Sequence, residues 1–158
     1  MISDRVRDLL IEQVGFELSA HQNYYGISLY FEGQSLKKWA RLFHGQSIEE
    51  AQHASKIISF LVDNDVSIDL PAIGAGTTDY ASAKAAVQSA LESEVRVTGQ
   101  FNALAGAAQD AADHRSLQFL QWFIEEQVEE ERKMRELLDL IDSGINLFAA
   151  EQLLDGQA

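Results

Sequence analysis

Apolar side chains recur at intervals of three and four residues along most of the chain, which is the spacing of one face of an α-helix. The pattern predicts four long helices, over about residues 4–31, 35–62, 79–108 and 113–142, and a short fifth helix over about 147–154. The chain has a single proline, which agrees with long helices because proline interrupts the helical hydrogen bonds. The fold class is therefore predicted to be all-α.

The connections between the predicted helices differ in length. Short links join helix one to helix two and helix three to helix four, and such links make antiparallel neighbours. About residues 63–78 separate helix two from helix three. An extended chain covers about 3.3 Å per residue, so this segment is long enough to run back along a bundle of about 40 Å. We expect one domain over residues 1–158, a four-helix bundle with one long crossover.

Residues that favour helix ends stand at the predicted boundaries. Gly33 suits the position after the first helix, and Ser35 suits the N-cap of the second. Residues 77–79 (Thr-Thr-Asp) are candidate N-caps for the third helix. Asp113 and Asn146 are the candidate caps of the fourth and fifth helices.

Each long helix has a core-facing seam that is apolar at both ends and polar at its middle. Glu17, Glu50, Glu94 and Glu130 all fall near the midpoints of these seams, one on each helix. The midpoints of antiparallel helices meet in a bundle. The four carboxylates are therefore predicted to converge inside the core.

Buried carboxylates must be protonated, paired or bound to metal ions. No Lys or Arg lies on the four seams near this level, so we expect metal ions rather than ion pairs. Glu50 and His53 lie three residues apart and project from the same side of a helix. Carboxylates with one imidazole and no sulfur favour iron or manganese, with zinc as an alternative, and the carboxylates suffice for two adjacent ions.

Composition narrows the range of partners. Asp and Glu number 25 against 12 Lys and Arg, and the formal net charge of −13 argues against nucleic acid and favours cations. The absence of cysteine excludes disulfides, zinc–thiolate sites and iron–sulfur clusters. No membrane span or secretory signal is visible, so we expect a cytoplasmic protein without a membrane partner.

The residues singled out above resemble the ferritin family, specifically the bacterial non-haem ferritins, along nearly the whole chain. The resemblance rests on Glu17 with Tyr24, on Glu94, and on the run Glu-Glu-Ala-Gln-His at 49–53. It also rests on two blocks in helix four, Phe-Leu-Gln-Trp at 119–122 and Glu-Glu-Gln-Val-Glu-Glu-Glu at 125–131. The resemblance implies a ferritin-like bundle with a short C-terminal helix.

Ferritin-type ligands for a di-iron centre follow from this resemblance, residue by residue. Glu17, Glu50 and His53 would hold the first iron. Glu50 would bridge to the second iron, which Glu94 and Glu130 would also hold. Such a centre is a ferroxidase, at which Fe(II) is oxidised by O2 or H2O2.

Further residues match positions around that centre. Glu49, Glu126 and Glu129, sharing the ligand of helix four, match a third iron site in bacterial ferritins. Tyr24 matches a tyrosine that can supply an electron, and Gln127 would hydrogen-bond to bound oxygen species or a ligand. We assign both residues to the catalytic group on this resemblance.

Departures from related families refine the expectation. Bacterioferritins carry a second Glu-x-x-His motif, which is absent here, and Ala51 stands where their haem-ligating methionine would be, so no haem is expected. His21 is interpreted as a core or supporting histidine rather than a ligand. Asp110 and Asp113 lie near the start of helix four, where ferritins place acids that line pores.

Iron storage is the function that the resemblance implies, in a hollow shell of about 24 identical subunits that holds an Fe(III) mineral. The apolar positions of the fifth helix would line a subunit contact or pack on their own bundle. One alternative is a di-metal oxidase or peroxidase that never mineralises iron. A second is a non-catalytic helical interaction module whose polar band sets the helix register.

Overall fold

The computed structural model describes residues 1–154. It contains four long helices packed as a bundle, in which the helices joined by short links are antiparallel. The helices are α1 (Asp4–Gly33), α2 (Lys37–Asp63), α3 (Ala83–Asp110) and α4 (His114–Asp142). A four-residue α5 (Leu147–Ala150) and one turn of 3-10 helix, Glu151–Leu154, follow. The predicted all-α class is confirmed, with a short C-terminal helix as expected. Residues 155–158, which the single-domain prediction includes, lie outside the described residues.

Side-chain caps fix most of the helix starts. Asp113 accepts a hydrogen bond from the backbone of the first turn of α4, and Asn146 does the same for α5, as predicted. The predicted start of α3 is wrong, because Ser82 is its N-cap and the helix begins at Ala83. Residues 77–79 belong to the crossover, which lies against α1 at this height.

The α1–α2 connection also differs from the prediction. Gly33 is the last residue of α1, and Ser35 takes the left-handed conformation with φ of 61°. The Leu36 N–H bonds back to Phe31 O at 3.0 Å, which closes the helix end and places a left-handed residue just before Leu36. Leu36 is the residue that precedes α2, without a side-chain cap, and its side chain is buried in the core.

The long crossover runs along the outside of α1 from one end of the bundle to the other. A Cβ atom on Gly15 would lie 2.9 Å from Pro71 Cγ, and one on Gly26 would lie 2.0 Å from Thr77 O. Glycine at these two positions therefore allows the crossover to approach the α1 backbone. This path carries the chain back along the bundle, as its length predicts.

The core consists of two apolar clusters at opposite ends of the bundle. One cluster contains Phe31, Trp39 and Leu137, and α5 closes it through a Trp39 Nε1–Leu147 O hydrogen bond of 3.1 Å. The other cluster contains Phe101 and further residues of all four long helices. The polar middles of the four seams, which we call the polar band, lie between the two clusters. Within the described residues, none of the helices is both long and apolar enough to cross a membrane.

Candidate metal centre

Each long helix contributes one buried carboxylate to the polar band. The exposed fractions of Glu17, Glu50, Glu94 and Glu130 are 0%, 2%, 2% and 0%, and that of His53 is 5%. The seams continue as apolar side chains above and below, and those apolar residues pack into the two clusters. Because packing at both ends fixes the rotation of every helix, the acids have to face one another.

The buried donors form two groups that share one residue. Glu17, Glu50 and His53 each offer a ligand atom within 4.8 Å of the others, and so do Glu50, Glu94 and Glu130. Glu50 belongs to both groups, which together we call the inner centre. This is the arrangement that two adjacent cations with one bridging carboxylate require.

Several buried polar atoms of the first group have no hydrogen-bond partner among the described residues. They are Glu17 Oε2, Glu50 Oε1 and His53 Nδ1. His53 Nδ1 lies 3.3 Å from Glu50 Oε2 and 3.7 Å from Glu17 Oε2, but without hydrogen-bond geometry. A buried acceptor left without a partner costs about 1–3 kcal/mol, and more when it is charged. A cation bound among these atoms would satisfy all of them, so the donor set fits a metal ion.

Neighbouring side chains hold the carboxylates in place. Gln13 Nε2 donates to Glu17 Oε1 at 3.2 Å. Glu94 is held on both oxygens, since the Tyr24 hydroxyl donates to Oε1 at 2.6 Å and Gln127 Nε2 donates to Oε2 at 3.0 Å. These contacts orient ligand oxygens, as outer hydrogen bonds commonly do around metal sites.

Burial and mutual repulsion shift the ionisation of these groups. Desolvation raises the pKa of Glu50 and of Glu94, and desolvation with the nearby Glu94 charge raises the pKa of Glu130 to about 8. Desolvation alone would lower the pKa of His53, but Glu17 and Glu50 outweigh it and raise the pKa to about 11. The metal-free centre therefore holds protons that a metal ion would displace.

A lysine beside the α4 seam reaches the polar band, and the sequence pattern did not predict this contact. Lys133 Nζ lies 3.4 Å from Glu130 Oε1 and 3.6 Å from Glu49 Oε2. Desolvation on its own would lower the pKa of Lys133, but the charges of Glu130, Glu49 and Glu126 outweigh it, and the pKa is raised. The expectation that no Lys or Arg pairs with the band is wrong for Glu130, because Lys133 reaches it from one residue outside the seam.

The residues expected around a third iron are only partly brought together. Glu49, Glu126 and Glu130 each offer an oxygen within 4.8 Å of the others. Glu129 is exposed, and its Oε2 pairs with Arg132 NH2 at 2.6 Å instead. We call Glu49, Glu126 and Glu130 the outer group. It contains one fully buried acid and two half-buried ones.

An open cavity of about 350 Å³ leads to this side of the centre. Its lining includes Glu49, Glu126, His53, Lys56 and Trp122. The edge of Trp122 meets His53 with 5.4 Å between ring centroids, and Lys56 Nζ lies 3.5 Å from the centre of the Trp122 ring. The cavity gives a solute a polar approach to the outer group and to His53.

His21 and Asp113, which the sequence analysis singled out, both have structural roles. His21 Nδ1 lies 2.7 Å from Ser47 O and ties α1 to α2, in agreement with a supporting histidine. The buried Asp113 carboxylate accepts from the Ser3 and Ser116 N–H groups and from the Ser116 hydroxyl. Asp113 therefore serves as a cap, whereas Asp110 is exposed and is the acid that stays available to cations.

Three supporting residues had only weak signals in the sequence. Gln13 lies four residues before Glu17, and Gln46 lies four residues before Glu50. Such spacing places two residues on one helix face but does not show which carboxylate accepts the hydrogen bond from the glutamine amide. Gln46 Nε2 in fact donates across the bundle to Glu130 Oε2 at 2.6 Å. Lys133 carries no seam signal, because its long side chain reaches the band from the flank.

Buried acids from four helices around one imidazole are the donor set that di-metal carboxylate proteins build inside a four-helix bundle. The ferritin-like domain family model matches residues 7–143. The chain is 37% identical over 147 residues to Ferritin BfrB of Mycolicibacterium smegmatis, covering 92% of this chain and 81% of that protein. It is 30% identical over 131 residues to a bacterial non-heme ferritin of Staphylococcus aureus, covering 83% and 79%.

Solved structures agree with these sequence matches. An open-pore ferritin from the archaeon Archaeoglobus fulgidus superimposes with a TM-score of 0.93 at 28% identity, covering 98% of both chains. The chain belongs to the ferritin-like domain family. The resemblance to bacterial non-haem ferritins that the sequence indicated is confirmed.

Proposed function

We propose that the protein oxidises Fe(II) at the buried centre and stores the product as Fe(III). The observation that carries this proposal is the pair of donor groups that share Glu50 and contain buried oxygens without hydrogen-bond partners among the described residues. Glu17, Glu50 and His53 would bind the first Fe(II), and Glu50, Glu94 and Glu130 the second. Iron is the substrate here and leaves the centre after oxidation.

Oxidation needs two electrons and the transfer of protons. Two Fe(II) ions each give one electron, and O2 takes up both electrons and two protons to form H2O2. With H2O2 as the oxidant, two electrons and two protons yield two water molecules. Carboxylate ligands favour this direction because anionic oxygens stabilise Fe(III) more than Fe(II).

Residues around the ligands have separate roles in this proposal. Tyr24 and Gln127 position Glu94 through their hydrogen bonds, which supports their assignment to the catalytic group. The Tyr24 hydroxyl is buried and bonded to Glu94, which supports a further role for Tyr24 as an electron donor. The outer group, at the open cavity, would bind iron on its way to or from the centre.

We further propose that the chain assembles into the 24-subunit shell that ferritins form. Large apolar side chains are exposed on the outer faces of α1 and α2 and on the crossover, where contacts between subunits would cover them. They are Phe16, Tyr25, Leu29, Ile48, Leu70 and Ile73. Phe148 and Leu153 on the C-terminal segment are exposed as well. We place the protein in the cytoplasm, where reducing conditions keep iron as Fe(II).

Anaerobic Fe(II) titration followed by a pulse of O2 tests the centre. The wild type should bind two Fe(II) per chain and show a fast oxidation phase. Glu50→Ala removes a ligand from both groups, so its fast phase should fall at least about 100-fold. The matched control is Glu125→Ala, an exposed acid of the same helical bundle, which should behave as the wild type.

Equal fast phases in the wild type and Glu50→Ala would refute the proposed centre. A separate measurement distinguishes storage from the alternative of an oxidase that does not mineralise iron. Storage predicts a particle of 24 chains that retains many more Fe(III) ions than its centres can bind. A small oligomer that retains only two irons per chain would support the oxidase instead.

A further inference from the structure

Lys133 places an ammonium group inside the outer group of carboxylates. Its Nζ lies within 4 Å of Glu130 Oε1 and of Glu49 Oε2, at 3.4 Å and 3.6 Å. The two acids come from different helices, α4 and α2, so the lysine bridges them across the bundle. The Lys133 side chain is 33% exposed, which leaves it able to move toward solvent.

Glu130 is held from both sides in this arrangement. Gln46 Nε2 donates to Oε2 at 2.6 Å, while Lys133 Nζ contacts Oε1 at 3.4 Å. Glu130 also belongs both to the buried donor group with Glu50 and Glu94 and to the outer group with Glu49 and Glu126. The same carboxylate therefore serves two groups, and the lysine occupies its outward side.

We propose that Lys133 is a tethered cation that takes the place of a third metal ion, and so limits the chain to two tightly bound ions. The inference rests on the proposed function of the inner centre. An ammonium and a divalent ion repel each other strongly at such distances, so a metal ion in the outer group has to displace the lysine. Lys133 is a positioning and specificity-determining residue, because it selects the number of ions and keeps Glu130 in place when the outer group holds none.

The test is to count bound metal ions in the assembled protein, with and without the lysine. Co(II) is the probe, because it binds oxygen and nitrogen donors and stays divalent under anaerobic handling. Isothermal titration calorimetry and equilibrium dialysis should give two ions per wild-type chain. Lys133→Met should bind a third ion, with its affinity for that ion at least about tenfold above the wild type.

Matched variants separate this effect from general electrostatics. Lys133→Arg keeps the charge and should bind two ions, as the wild type does. Lys56→Met removes one positive charge from the lining of the same cavity without touching the outer carboxylates, and should also bind two. Lys133→Met combined with Glu49→Gln should lose the third ion again.

Failure of this inference is distinguishable from failure of the proposed function. Two ions in both the wild type and Lys133→Met would overturn the inference alone, as would three ions in the wild type or an equal gain in Lys56→Met. No tight ions in the wild type would overturn the proposed function first. Circular dichroism and particle size check each variant, and Lys133→Gln replaces Lys133→Met if the latter does not fold.

Discussion

The inner centre and the outer group share Glu130 but differ in what neutralises their charge. The inner acids are almost fully buried, and two of their oxygens, Glu17 Oε2 and Glu50 Oε1, lack a hydrogen-bond partner among the residues described. The outer acids are half-buried apart from Glu130, and Lys133 contacts two of them. The depth of a carboxylate in the bundle therefore decides which positive group can reach it. A long lysine reaches the rim of the band from the flank, whereas in the middle, among the residues described, positive charge comes from His53 and would come from a bound metal ion.

The largest expected difference between the inner centre and the outer group appears when one acid of each is replaced by glutamine. Glu17→Gln should lower the fast rate of Fe(II) oxidation about 100-fold, because it removes a ligand of the first ion. Glu49→Gln should change the rate by less than about threefold. Stopped-flow absorbance after mixing with O2 measures both. Similar losses in the two variants would contradict the distinction between an inner and an outer group.

Proton competition gives the next effect. The pKa of His53, about 11 against 6.5, and that of Glu130, about 8 against 4.5, both lie above their ordinary values. The folded metal-free protein thus binds more protons than the unfolded chain between pH 6.5 and 8, and its stability falls as the pH rises. Metal binding must release these protons, so it strengthens as the pH rises.

Calorimetric melting with and without Zn(II) at pH 6 and pH 8 checks this prediction. Zn(II) at a fixed concentration of 100 times its Kd at pH 6 should add about 2.7 kcal/mol per site at that pH, and the same concentration should raise Tm more at pH 8, where the Kd is lower. The melting temperature of the metal-free protein should be lower at pH 8 than at pH 6. A rise in Tm on adding metal that shrinks as the pH increases would contradict the proton assignments.

A smaller effect tests how the inner ligands are held. Tyr24→Phe removes the hydroxyl that donates to Glu94 Oε1 but leaves the Gln127 contact. Affinity for the second ion should fall about tenfold, while the first ion is bound as before. Tyr30→Phe is the control, since Tyr30 is a half-buried tyrosine in the apolar cluster away from the acids. Unchanged affinity in Tyr24→Phe would show that Gln127 alone positions Glu94.

The smallest effect concerns a residue outside both groups. The pKa of Asp113 is lowered, because hydrogen bonds from the Ser116 and Ser3 backbone outweigh its desolvation. Asp113→Ala should therefore destabilise the protein by about 1 kcal/mol as a lost helix cap. The rate of iron oxidation should stay within about twofold of the wild type. Asp110→Ala should leave stability unchanged, and chemical denaturation compares the two variants.

The seams explain why so much of the inner centre was predictable from the sequence. Apolar residues fix the rotation of each long helix, so an acid at the middle of a seam, such as Glu94, must face the core. The depth of that acid follows from the antiparallel arrangement that the loop lengths impose. Helix periodicity and loop length together therefore place the inner carboxylates without any knowledge of their contacts.

Residues beside the seams were harder to place from the sequence. Lys133 and Glu129 flank the α4 seam, and their direction depends on long flexible side chains and on neighbours such as Arg132. The start of α3 was misplaced for a similar reason, because several polar residues before Ala83 are able to cap a helix. Which one does so depends on how the crossover packs along α1.

Anomalous diffraction from crystals soaked anaerobically in Fe(II) tests the central claim most directly. We expect two iron peaks, one among Glu17, Glu50 and His53 and one among Glu50, Glu94 and Glu130, with Glu50 between them. We expect no ordered iron beside Lys133. Crystals in which these carboxylates bind no iron at saturating Fe(II) would contradict the proposed centre.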